Sequence, residues 1–87
     1  MNREQITEAL TEQDMNLLLM DGFDEAFIGW TQRINEEAVA CYSYDKMVDL
    51  LVKRDSMNAE EAMEYIDFNC VGAWVGERTP FIVYSVA

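Results

Sequence analysis

The chain contains no histidine, and only six lysines and arginines, two cysteines, four glycines and one proline among 87 residues. Lack of histidine removes the commonest general base, the Ser-His-Asp and Cys-His nucleophile arrangements, and the usual ligands of zinc hydrolases. The two cysteines, Cys41 and Cys70, stand alone with no C-x-x-C spacing, so structural zinc has too few ligands. In a reducing compartment both read as small buried apolar groups rather than a disulfide. No long apolar run exists: the longest, LLLM at residues 17–20, is far too short to span a bilayer. The first ten residues, MNREQITEAL, carry charges of both signs and lack the core of a secretion signal, so a soluble cytoplasmic protein is expected. A Gly-rich phosphate loop is missing too. The stretch GAWVGERT has no G-K-[ST] ending and leads to a strand rather than opening a helix. These absences point away from an enzyme and from any bound cofactor.

The shortage of cations has the largest consequence. Seventeen acidic residues face six basic ones, for a formal charge of −11. Such a surface repels nucleic acid and anionic membrane, leaving basic proteins, cations or solvent as its counterparts.

What is present suits a folded globule: 51% of residues are apolar and 11% aromatic, outside the disordered range. A chain of this length forms one domain, residues 1–87, with one modest core. No linker, repeat or low-complexity tract divides it. Ile6, Ala9 and Leu10 share one face of an N-terminal helix, while Glu4, Glu8 and Glu12 line another at i, i+4, i+8. Thr11 followed by Asp14 suits the cap of a second short turn, stopped by Gly22; whether residues 17–20 are helix or strand is open. Residues 26–32 and 38–43 alternate, the first with Ala26, Ile28 and Trp30 pointing one way, and RINEE joins them as a hairpin loop. Both strands carry apolar groups on both faces, so the sheet needs cover on both sides, from its own helices or another subunit.

Ser43 is placed to cap a helix over residues 45–54, with Met47, Val48, Leu51 and Val52 on one stripe and Lys53 and Arg54 in the last turn. Asn58 and Glu61 form a capping box for a helix over residues 59–70, with Met57 as its staple on Ala62. Ala62, Ile66, Asn69 and Cys70 are expected inward, and Glu60, Glu64 and Asp67 outward. Gly72 is the expected left-handed cap, Gly76 permits a second turn, and Thr79-Pro80 launches a last strand over residues 81–85. Trp74 is either a lid over the core, where tryptophan usually sits, or an aromatic presented to a partner. The predicted architecture is α+β: a small antiparallel three-stranded sheet of open strand order, two central helices and an N-terminal helix.

Three stretches carry a resemblance: DGFDEAFIG at 21–29, AVACYSYDKMVDLL at 38–51, and RDSMNAEEAMEYIDFNCVGAWVGERTPF at 54–81. They resemble a group of short proteins encoded by tailed bacteriophages and prophages, in which D-G-F-D-x-A precedes a Y-x-x-x-K helix and the motif F-N-x-x-G-A-W-V-G-x-x-T-P closes the pattern. The resemblance spans residues 21–81 and leaves the first twenty outside. It implies origin in a phage or mobile element, hence a host-cytoplasm setting, and a shared fold, and brings no functional residues with it.

The residues favour a non-enzymatic accessory protein that binds a host or phage protein through an acidic surface. The expected partner is basic or nucleic-acid-binding, and the acidic stripes are candidates to imitate nucleic-acid phosphates and so inhibit it. The contact residues expected first are Glu60, Glu64, Asp67 and Trp74. A solvated face that only keeps the protein soluble explains the same stripes. Two other classes stay open. One is a small carboxylate- or metal-dependent enzyme using Asp21, Asp24 and Glu25, although DGFDEAF lacks the alternating oxygen ligands of an EF-hand. The other is a self-associating structural protein.

Overall fold

The computed structural model describes residues 1–73 and 76–86. Its first helix, α1 (Arg3–Glu12), is closed by a capping box: Asn2 accepts the Gln5 N–H at 2.8 Å and the Gln5 side chain accepts the Asn2 N–H at 3.0 Å. Ile6 and Leu10 are buried on its inner face. Thr11 lies inside this helix with its hydroxyl on the Thr7 carbonyl and caps nothing; the Asp14 N–H on the Thr11 carbonyl at 3.0 Å closes a turn that ends α1, and no helical turn runs on into residues 15–20. Residues 15–20 are neither helix nor strand, and Gly22, at φ 85°, turns the chain instead of stopping a helix.

A 3-10 turn, Asp24–Ala26, enters strand β1 (Phe27–Thr31), which pairs antiparallel with β2 (Val39–Ser43). The register shifts between Phe27 and Gly29, so Phe27 lies opposite Tyr42 and Trp30 opposite Ala40. This bulge inserts one residue and resets the faces, so Phe27 and Trp30, not Ala26, Ile28 and Trp30, share a side. The Phe27 ring meets Tyr42 edge to face at 5.7 Å.

Helix α2 (Tyr44–Arg54) follows at once, with the Ser43 side chain accepting the Lys46 N–H at 3.2 Å. Met47 and Leu51 are buried, and Val48 and Val52 pack beside them. The expected box opens α3 (Ala59–Ile66): Asn58 accepts the Glu61 N–H at 2.8 Å and Glu61 returns the contact at 3.2 Å. Ala62 and Ile66 are buried. The helical run then widens into a π turn, Asp67–Val71. A wide turn holds more residues than 3.6, so positions beyond Ile66 rotate relative to the α period. Asn69, expected inward, is exposed and donates to the Tyr65 carbonyl at 3.0 Å, while Cys70 is half-buried. Gly72 has φ −81°, so the left-handed cap expected there is absent, whereas Gly76 takes the left-handed region at φ 112°.

Strand β3 (Phe81–Val83) pairs with β2, giving the order β1-β2-β3. The domain is α+β with three helices and a three-stranded sheet, as the sequence predicts; the sheet is mixed, because β3 runs parallel to β2. Helices α2 and α3 supply the long crossover that a parallel pair requires. Ala40 and Tyr42 join Ile6, Met47, Leu51 and Ile66 in the core. On the other face of the sheet Val39 and Cys41 are buried, while Phe81 and Val83, paired with Cys41 and Ser43, are 54% and 41% exposed. Among the described residues no helix is long and apolar enough to cross a membrane.

Candidate functional site

The outer side of α3 is carboxylate-rich because Ala62 and Ile66 fix which side faces the core. Glu60, Glu61 and Glu64 are exposed on the remaining surface, and Asp67 follows at the start of the π turn. At 1.5 Å per residue, Glu60 to Asp67 spans about 10 Å. No lysine or arginine occurs from residue 58 to residue 77, so nothing within this stretch neutralises them. Phe68 sits beside the carboxylates at 86% exposure. A ring this open next to paired glutamates is the feature that sequence reasoning missed. The inward pattern of Ala62 and Ile66 already places Phe68 outside, so the signal was present in the spacing.

Asp67 differs from Glu60, Glu61 and Glu64. Tyr44, at the start of α2, lies within electrostatic reach of Asp67, and its ring is 4.6 Å from that of Tyr84. Burial raises the Tyr44 phenol above its ordinary range, and the negative charge of Asp67 adds to the effect. Asp67 thus acts electrostatically on α2, while Glu60 and Glu64 form the open pair. Trp74 lies outside the described residues.

The second carboxylate group is organised around a cation. Arg3 of α1 reaches Asp24 at 3.0 Å and Asp21 at 3.3 Å, and donates to the Met20 carbonyl at 3.1 Å. The hydrogen bond that Arg3 donates to Asp24 raises the Arg3 pKa, holding the guanidinium charged. This geometry tethers α1 to the loop before β1, and the same oxygens that would serve acid/base work or a metal are engaged by arginine. Glu25 is exposed, and its charge acts on Arg54 rather than closing on Arg3 with Asp21 and Asp24. Among the described residues no three Asp, Glu, Cys or His side chains come together in a metal-holding group.

Both cysteines are free thiols, with Cys41 buried and Cys70 half-buried. Burial pushes both thiols up from their ordinary value, which disfavours the thiolate a nucleophile requires.

Between the 18–23 segment and α3 runs an apolar groove of about 480 Å³. Leu18, Met20 and Phe23 line it from one side, Tyr65 and Cys70 from the other, and Ile82 of β3 contributes as well. Arg54 lies over the Phe23 ring at 5.8 Å and donates to the Gly22 carbonyl, fixing that end of the segment. Neither LLLM nor α3 announces this groove alone, since it exists only where the two meet.

Comparison with protein-family models, curated proteins and solved structures returned no match.

Proposed function

We propose that this protein is a non-enzymatic accessory factor of phage type that binds a basic protein of the host or phage through its acidic surface, and that the natural partner is a nucleic-acid-binding enzyme whose basic site it occupies. The observation that carries this reading is the exposed pair Glu60 and Glu64 beside the open ring of Phe68, in a stretch without a single cation. Carboxylates spaced along a rigid helix present negative charge to lysines and arginines as phosphates do, and a neighbouring aromatic adds apolar contact. Direct binding of nucleic acid or of an anionic membrane is disfavoured by the same charge. Within this reading Glu60 and Glu64 make the contact and Asp67 ends the stripe near Tyr44 of α2.

Affinity capture with the full chain tests it, using a Glu60→Lys/Glu64→Lys variant as control. A partner retained at about 50 mM salt and released as the Debye length shortens is the expected result. Equal recovery by wild type and variant, or recovery of nothing at low salt, overturns it.

Self-association is favoured by a separate observation, the exposure of Phe81 and Val83 on the sheet face opposite the helices. Sedimentation equilibrium at high concentration decides it, and a monomer there removes it.

A further inference from the structure

Resting on the reading above, we infer that the groove between the 18–23 segment and α3 is the seat for a short, extended, basic segment of the partner, with its apolar side chains in the groove and its lysines or arginines against the carboxylates outside.

Three observations converge on this occupant. The groove, about 480 Å³, has room for bulky aliphatic side chains, and its rim exposes Leu18 and Tyr65 at 39% and 42%. Its two sides come from stretches that carry no lysine or arginine of their own, residues 4–32 and 58–77, which hold twelve of the seventeen acidic residues; Arg3 and Arg54 reach the 18–23 side from elsewhere in the chain. A peptide crossing α3 beside Tyr65 passes Glu61 and Glu64, one turn and one residue away; at the opposite side Asp21 lines the groove with one oxygen on Arg3, and Asp21, Asp24, Glu61 and Glu64 outnumber Arg3 and Arg54 around it. The sign of the field therefore selects a cationic ligand.

The backbone supplies the third observation. The 18–23 side is irregular chain, held by the Met20 N–H on the Tyr42 hydroxyl at 2.8 Å and by the Arg3 guanidinium on the Met20 carbonyl at 3.1 Å. Leu18 and Leu19 make no backbone hydrogen bond to any described residue. Their amide and carbonyl groups are thus available to an incoming strand, whose main chain would pair with them while alternate side chains enter the groove. An extended ligand satisfies these groups; a helix, with its backbone already paired, does not.

The test uses the full chain and two short synthetic peptides, one alternating lysine and leucine, the other alternating glutamate and leucine, followed by amide NMR shifts. The expected result is movement of Leu18, Leu19, Tyr65, Cys70 and Ile82 with the lysine peptide and none with the glutamate peptide. Leu18→Lys, at a half-exposed position that leaves the core intact, should weaken the lysine peptide about tenfold or more. Ala73→Arg, which enters the groove from its other side, should do the same if the first variant folds poorly. Shifts confined to the neighbours of Glu60 and Glu64, unchanged by Leu18→Lys, overturn the groove while leaving the acidic-surface reading standing. Equal binding of both peptides overturns the charge selection. No shift with either peptide at low salt overturns both readings, and groove shifts that follow protein concentration alone assign the groove to a second copy instead.

Discussion

The hydroxyl of Tyr42, a fully buried residue at the centre of β2, accepts the backbone N–H of Met20 at 2.8 Å. This contact ties the irregular 15–20 segment to the sheet, as Arg3 on the Met20 carbonyl ties it to α1, and together they hold one side of the apolar groove. Replacing Tyr42 with phenylalanine keeps the ring and its edge contact with Phe27 but strips the Met20 amide of its partner. The variant should lose about 1–3 kcal/mol in urea unfolding, and amide exchange at Met20 should speed up more than exchange in α2.

The same tyrosine links stability to alkaline pH. Burial raises its phenol, and it raises the Tyr44 phenol and both thiols in the same direction. Where the folded value lies above the unfolded one, the folded state holds the proton longer, so stability falls as pH rises through that window. The contribution should be fully present below the ordinary thiol range, about pH 8.5, and then decline as first the thiols and then the phenols of the unfolded chain ionise. Unfolding midpoints measured from neutral to alkaline pH should be flat and then fall; a rise would contradict the burial of these groups.

Truncation at the helix-covered side of the core is expected to be severe. Leu51 is 1% exposed and packs among Tyr42, Met47 and Ile66 in a small domain. Leu51→Ala should cost about 2–5 kcal/mol, a large share of the stability of a chain this size. Denaturant titration measures it, and a cost below about 1 kcal/mol would mean the site collapses around the loss.

Stability and partner binding should separate at Glu64. It lies one turn after Glu60 on an exposed face, where like charges destabilise a helix by a few tenths of a kcal/mol. Glu64→Lys turns this into an attractive pair with the glutamate on the N-terminal side, so thermal stability should hold or rise slightly. Partner capture should fall at the same time. A variant that loses both would make the stripe a structural feature.

Added salt should stabilise the free protein. A charge of −11 on one small domain repels itself, and screening shortens the reach of that repulsion. Raising ionic strength from about 20 mM to about 0.2 M should lift the melting temperature by on the order of a few degrees.

Much of this architecture is legible locally. Asn58 with Glu61, and Ser43 before the Met47 and Leu51 stripe, mark their helix starts because a cap is a contact between residues three apart. Elsewhere the local rule is overridden. The bulge in β1 depends on pairing with β2, the π turn after Ile66 rotates Asn69 outward, and Gly72 needs no left-handed cap once that turn ends the helix. Arg3 gives no hint in sequence that it will close on Asp24, which lies twenty-one residues later.

The sequence by itself determined the sign and density of surface charge, the starts of α2 and α3, the α+β composition and the lack of histidine chemistry, because each follows from residue type or from neighbours within one helical turn. Only the tertiary structure decided that β3 runs parallel to β2, that Asp21 and Asp24 close on Arg3, that Asp67 lies near Tyr44, and that LLLM and α3 form a groove. Those are meetings of segments far apart along the chain, and burial of a shared core, not local preference, brings such segments together.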